Sequence, residues 1–163
     1  MMNFNWQGVM PALTTQFDAQ EQLNLEAFEL NLVAQIEAGV HGIVLGGTLG
    51  EASTLTASEK VLLLKKAQDV ISGRIPVIIN IAEQSTGDAI AAAQAAEANG
   101  ADGLMLLPPM RYKATDEETV HYFAAIAQST KLPIMIYNNP VDYKIEVTLD
   151  MFDELQQYKN IQA

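Results

Sequence analysis

A chain of 163 residues, 49% of them apolar, is long enough to fold as one domain around its own core. Nine basic and twenty acidic residues give a formal charge of −11, which argues against nucleic acid and anionic membranes as partners. The chain has no cysteine and two scattered histidines, His41 and His121, so we expect no metal and no other cofactor. The first residues show neither a basic nor a long apolar segment, which predicts a cytoplasmic protein.

Short apolar runs alternate with amphipathic segments, in the order strand then helix. The first helix is predicted at 24–38, where apolar residues recur at helical spacing and Gly39 follows. Thr56 with Glu59, and Thr115 with Glu118, match the capping box that begins a helix. The other predicted elements are strands at 8–13, 41–45, 75–81, 103–107 and 133–137, helices at 56–71, 85–99, 115–128 and 148–158, and the start of a sixth strand at 160–163.

Five strand–helix units with continuous apolar strands predict a parallel sheet buried on both faces. The segment 37–43 resembles 97–104, and such an internal repeat favours a (β/α)8 TIM barrel over an open sheet. A complete barrel needs about 250 residues. The fold class we predict is therefore α/β: residues 1–163 form a single domain, an incomplete barrel of about five β/α units and the start of strand 6. The alternative is an open five-stranded fold, which would leave the strand at Ile161 uncovered.

Ligands of such barrels bind where the strands end. The residues at those ends are Thr14 and Thr15; Gly47, Thr48, Leu49, Gly50 and Glu51; Asn80, Ala82 and Glu83; Pro108, Pro109, Met110, Arg111 and Tyr112; and Tyr137, Asn138, Asn139 and Pro140.

The glycine-rich turn at 46–51 is the most informative of these loops. A turn between a buried strand and a helix presents backbone N–H groups to a ligand. Thr48 adds a hydroxyl and Glu51 a carboxylate, but there is no P-loop lysine and no dinucleotide fingerprint. The turn therefore predicts a site for a small anion.

Each candidate residue has a functional and a structural interpretation. The Tyr137 phenol either shuttles a proton or seals the barrel mouth. Thr48 either binds a carboxylate or bonds to its own backbone. Glu51 is either a catalytic acid or a capping residue near a helix N-terminus, and Glu51 with Glu83 would form a glycosidase-like pair. Arg111 either meets an anion or is a solvated cation, and we interpret His41 and His121 as structural.

The motif Gly47-Thr48-Leu49-Gly50-Glu51, followed by Tyr137-Asn138-Asn139-Pro140, resembles the dihydrodipicolinate synthase/N-acetylneuraminate lyase family over essentially the whole chain. These are Schiff-base aldolases and lyases, in which a lysine forms an imine with pyruvate or a related 2-keto acid. The resemblance implies that Tyr137 relays protons and that Thr48 and the Leu49 N–H hold the substrate carboxylate. It also places Gly47 and Asn139 at the substrate, and implies a homo-oligomer, a dimer or tetramer.

Three departures from the family pattern concern the proton relay and the residue that binds the second substrate. Many members have a second threonine where this chain has Leu49. The interface tyrosine of dihydrodipicolinate synthases falls near Met110 or Arg111, with Tyr112 out of register. The arginine that binds the second substrate's carboxylate is Asp142 here. We therefore expect a lyase with an unassigned second substrate. The alternatives are an authentic 4-hydroxy-tetrahydrodipicolinate synthase and a non-catalytic keto-acid-binding or regulatory member.

The family spacing places the Schiff-base lysine just beyond Ala163. Lys159 precedes the sixth strand and does not match that position. We therefore expect the 163 residues alone to be inactive.

Overall fold

The computed structural model describes residues 4–109 and 112–163, so the predictions made for Met110 and Arg111 lie outside the described residues. The strands are β1 (Ile43–Leu45), β2 (Val77–Ile81), β3 (Gly103–Leu106) and β4 (Ile134–Ile136). The helices are α1 (Leu25–Glu37), α2 (Ala57–Ile71), α3 (Thr86–Ala98), α4 (Asp116–Ser129), α5 (Pro140–Tyr143) and α6 (Leu149–Leu155).

The four strands form one parallel sheet in the order β1-β2-β3-β4. The register pairs Ile43 with Val77, Ile79 with Leu104, and Leu104 with Ile134. Each strand therefore lies beside the next strand of the chain. This sequential order is that of a barrel. In a doubly wound sheet the order of the strands reverses at a switch point.

The two outer predicted strands pair with the sheet through single bridges. Ala12 bridges Val44 and Ile161 bridges Ile134, both in parallel. The predicted strand at 8–13 is not a regular strand because Pro11 accepts a hydrogen bond from the Val44 N–H (2.9 Å) but has no N–H to donate. At the other edge the Gln162 N–H donates to the Ile134 carbonyl at 2.9 Å.

Side chains alternate between the two faces of the sheet. Ile43, Ile79 and Leu104 belong to the buried cluster formed with the helices. Alternate residues, such as Val44 and Asn80, must lie on the opposite face. The helices thus cover one face, and the other face becomes the interior of a barrel.

Side-chain caps begin the helices where the sequence predicts. Both capping boxes form: Thr56 with Glu59 at α2, and Thr115 with Glu118 at α4. Hydrogen bonds from Thr56 lower the pKa of the exposed Glu59 carboxyl. The predicted long helices are all present, and the caps place their first residues correctly because capping depends on local chemistry alone.

Glu97, at the end of α3, holds the loop before β4. Its carboxylate accepts hydrogen bonds from the Thr130 hydroxyl at 2.6 Å and the Lys131 N–H at 3.0 Å. These two bonds, that from Thr130 foremost, lower the pKa of Glu97. A carboxyl whose pKa is lower in the folded state stabilises the fold above its unfolded-state pKa, and this contribution disappears as the pH falls through the folded-state value.

We therefore expect Glu97→Gln to lower the free energy of unfolding by about 1 kcal/mol at pH 7. The difference from the wild type should shrink as the pH is lowered from 7 through the folded-state pKa of Glu97. Urea denaturation across this pH range measures it. Glu37→Gln is the matched control because Glu37 is the exposed counterpart in the internal repeat, at the end of α1. An equal loss in both variants would contradict the assignment.

Candidate functional site

The loop after β1 is fixed by a hydrogen bond from Asn80, a buried residue on the interior face of the sheet. Gly46 has a φ of +65°, which favours glycine. The Asn80 side-chain amide, 3% exposed, donates to the Gly46 carbonyl at 2.9 Å. Thr48–Gly50 then forms a 3-10 turn, closed by the Gly50 N–H donating to the Gly47 carbonyl at 2.9 Å.

This turn offers donors to solvent. Thr48 and Leu49 are both exposed, and the Leu49 side chain is 70% accessible. Among the described residues, no hydrogen bond uses the N–H of Thr48 or Leu49, as is usual for the first residues of a helical turn. Two backbone N–H groups and the Thr48 hydroxyl are therefore available to an anion.

Residues Leu13 and Thr15, which follow the bridge at Ala12, pack against the same turn. Thr15 is buried, and its hydroxyl donates to the Gly50 carbonyl at 2.7 Å. A Cβ on Gly50 would lie 2.8 Å from the Leu13 carbonyl oxygen. The turn therefore requires a glycine at this position.

The two candidate carboxylates have other roles. Glu51 does not cap α2, whose N-cap residue is Thr56, so the interpretation of Glu51 as a cap at that helix N-terminus is wrong. It ends the 3-10 turn in a left-handed conformation (φ 58°), and its carboxylate accepts from the Thr54 hydroxyl at 3.4 Å. Glu83 forms an ion pair with Lys60 at 2.8 Å. Neither arrangement favours a glycosidase-like pair.

The turn after β4 is organised by its two asparagines. The Asn139 side chain caps α5 by accepting from the Asp142 N–H at 3.3 Å. Its amide group donates to the Asp142 carboxylate at 2.7 Å and to the Tyr137 hydroxyl at 3.4 Å. Asn138 bonds in both directions to the backbone of Val147, at 2.9 and 3.0 Å. The Tyr137 ring is 38% exposed at the mouth of the barrel.

Tyr143, which the sequence analysis missed, joins the two loops. Its hydroxyl lies 3.4 Å from Thr48 Oγ1. Its ring meets Tyr137 edge-on, with centroids 6.1 Å apart and planes at 62°. In a flat sheet β1 and β4 would be about 14 Å apart, so the sheet must curve to bring these loops together. Pro140 after the cap residue Asn139 was the available signal for the short helix that carries Tyr143.

Among the described residues, His41, Tyr112 and Tyr122 form no hydrogen bond with this cluster. His41 accepts from the Val9 N–H at 3.0 Å at the opposite end of β1, which agrees with its structural interpretation. Tyr112 is exposed. Burial, together with the nearby Glu83 carboxylate, raises the pKa of Tyr122 on α4, so this phenol stays neutral.

Within residues 4–109 and 112–163, no three histidine or acidic side chains come together as a metal site. No helix in the same residues combines the length and apolarity needed to cross a membrane.

A sequential parallel sheet, with helices on one face and hydroxyl and amide groups at its carboxyl edge, is an incomplete (β/α)8 barrel with a candidate active site at its mouth. The chain belongs to the dihydrodipicolinate synthetase family, whose model matches residues 5–163. The predicted fold class and the resemblance are thereby confirmed.

Three proteins illustrate the relationship. The 4-hydroxy-tetrahydrodipicolinate synthase of Exiguobacterium sibiricum is 37% identical over 158 residues, covering 97% of this chain and 54% of that protein. A pyruvate complex of the dihydrodipicolinate synthase from Acinetobacter baumannii is 32% identical with a TM-score of 0.92, covering 96% and 54%. A pyruvate complex of a family member from an Escherichia coli K12 prophage is 30% identical with a TM-score of 0.90, covering 96% and 53%. The chain spans about half the length of the proteins it matches.

Proposed function

We propose that this chain is the amino-terminal part of a Schiff-base lyase or aldolase that acts on pyruvate or a related 2-keto acid. The observation that carries the proposal is the contact of Thr48 with Tyr143, whose ring in turn contacts Tyr137, at one end of the curved sheet. An anion-binding turn can hold the carboxylate of a keto acid, and phenolic hydroxyls beside the turn can transfer protons to and from it. The pyruvate complexes of two relatives support this substrate class.

The carboxylate of the keto acid would bind at the turn after β1. The Thr48 hydroxyl and the N–H of Leu49 are neutral donors in one exposed turn, and a helical turn's first N–H groups attract anions. Gly47, which precedes Thr48 in extended conformation, lets the backbone approach the ligand. Asn139 would act from the other side, since it contacts the Tyr137 hydroxyl.

The nucleophile would come from the strand that begins at the β4 edge. Ile161 already bridges Ile134 in parallel, so this strand would end at the same rim as β4, next to Tyr137. A lysine there would add to the keto carbon and lose water to give an imine. Tyr137 would relay protons to and from that intermediate. Lys159 lies at the opposite end of the strand and is exposed.

The second substrate would be neutral, hydroxylated or cationic. The Asp142 carboxylate, exposed beside the site and bound by Asn139, would repel an anionic aldehyde. The alternative of an authentic 4-hydroxy-tetrahydrodipicolinate synthase is favoured by the name of the Exiguobacterium relative. A non-catalytic member is the other alternative. We further propose a cytoplasmic homo-oligomer, a dimer or tetramer.

Borohydride trapping with pyruvate tests the proposal. A longer protein that continues this chain through the next strand should yield a stable pyruvyl–lysine adduct, seen by mass spectrometry. The 163 residues alone should yield none. The same trapping with a panel of 2-keto acids, followed by product analysis with anionic and neutral aldehydes, would identify both substrates. No adduct on the longer protein would overturn the proposal, and an adduct on residues 1–163 would overturn the assignment of the lysine.

A further inference from the structure

We propose that Tyr143 is a positioning residue that acts through Thr48, orienting the Thr48 hydroxyl and passing protons between it and solvent. This inference rests on the proposed function and concerns the same site. It is carried by the 3.4 Å separation of the Tyr143 and Thr48 hydroxyl oxygens. Hydrogen bonds in unliganded sites are often long and shorten when substrate binds.

Either hydroxyl can donate in this contact, and a bound carboxylate would give it a direction. A threonine hydroxyl has one hydrogen and two lone pairs. When the Thr48 hydrogen points at a bound carboxylate, the oxygen can still accept a hydrogen bond, and the Tyr143 O–H is placed to donate it. Donation from Tyr143 polarises Thr48 and strengthens its bond to the substrate.

Tyr143 is held firmly enough for this role. The Asn139 cap and Pro140 at the first helical position define α5, and the Tyr143 N–H donates to the Asn139 carbonyl at 3.1 Å. The edge of its ring packs on Tyr137. Asn139 therefore positions both phenols, since its side chain also contacts the Tyr137 hydroxyl at 3.4 Å.

The neighbouring turn residue does not supply a hydroxyl, because Leu49 presents an exposed apolar side chain instead. Tyr143 provides one from the loop after β4 of the same chain. In the transfer, water gives a proton to Tyr143, which passes its own proton to Thr48, and Thr48 releases its own into the site. Each oxygen ends with one hydrogen, and one proton has moved from solvent to the site; after both hydroxyl groups rotate, the reverse direction returns it.

Exchange of the pyruvate methyl protons with deuterium oxide, followed by proton NMR, tests the proposal without a second substrate. In the longer protein, Tyr143→Phe should lower the maximal exchange rate by about 10-fold or more. The KM for pyruvate should change less than about threefold, and borohydride trapping should remain complete. The pH profile of the exchange should also change, which the loss of a packing contact alone would not cause. Tyr158→Phe is the control, since Tyr158 follows α6 and its hydroxyl accepts a hydrogen bond from Gln128 in α4.

A double-mutant cycle makes the test specific to Thr48. Because Tyr143 acts through Thr48, adding Tyr143→Phe to Thr48→Val should cause little further loss. Circular dichroism checks that the variants fold. An unchanged maximal rate in Tyr143→Phe, a change in KM alone, or fully additive losses would overturn the inference. The absence of a pyruvyl adduct on the wild-type protein would instead refute the proposed function.

Discussion

Replacing Tyr137 with phenylalanine should lower the maximal rate of pyruvate proton exchange in the longer protein by about 100-fold or more. In the proposed function this phenol transfers protons to and from the imine. It follows β4, and its oxygen accepts a hydrogen bond from the Asn139 side chain at 3.4 Å. The phenylalanine ring keeps the edge-on contact with Tyr143. The variant should therefore fold normally and lose only the proton-transfer group.

The alternative interpretation of Tyr137, that it seals the barrel mouth, gives a different result. A sealing residue would change the KM for pyruvate or the thermal stability and leave the maximal exchange rate intact. Measuring the rate against pyruvate concentration, with a melting curve for the same sample, separates the two. A variant that exchanges protons at the wild-type rate would remove Tyr137 from the catalytic group.

The elements that local chemistry determines were predictable from the sequence. Thr56 and Thr115 cap the helices that follow them because a capping box needs four residues and nothing else. The strands β1 to β4 follow from apolar runs that a buried parallel sheet requires. The first predicted strand is reduced to a bridge because Pro11 cannot donate a hydrogen bond.

The contacts between loops were not predictable in the same way. Thr48 and Tyr143 are 95 residues apart in the chain, and they meet because the sheet curves across three strand spacings. Sequence spacing identifies the ends of strands but gives no curvature, so Tyr143 was missed. The interpretation of Glu51 as a helix cap was wrong because this residue ends a 3-10 turn in a left-handed conformation. The sequence analysis did not predict that turn.

Gly50→Ala should cost about 1–3 kcal/mol of unfolding free energy. It should also weaken pyruvate binding by about tenfold or more, since 1.4 kcal/mol at the binding turn corresponds to a factor of ten. The added Cβ would lie 2.8 Å from the Leu13 backbone oxygen, so the turn must shift. That shift would move Thr48 and Leu49, which lie in the same 3-10 turn, away from the positions in which they would bind the proposed keto acid.

The control for Gly50→Ala is Gly87→Ala in the first turn of α3. There the nearest atom to a new Cβ is the Ser85 hydroxyl oxygen at 3.9 Å, an ordinary contact, and alanine is the better helix former. Thermal melting and pyruvate titration of both variants measure the effects. Wild-type behaviour of Gly50→Ala would mean that the turn tolerates displacement and does not define the carboxylate site.

The hydrogen bond between Thr15 and Gly50 allows a second test of whether Gly50→Ala acts by displacing the turn. The Thr15 hydroxyl donates to the Gly50 carbonyl at 2.7 Å, so Thr15→Val alone leaves a buried acceptor unpaired and should cost about 1–3 kcal/mol. A turn already displaced by Gly50→Ala has lost this bond, so the double variant should be less destabilised than the sum of the two. Full additivity would show that the added methyl group acts without moving the turn, and the loss of pyruvate binding would then need another cause.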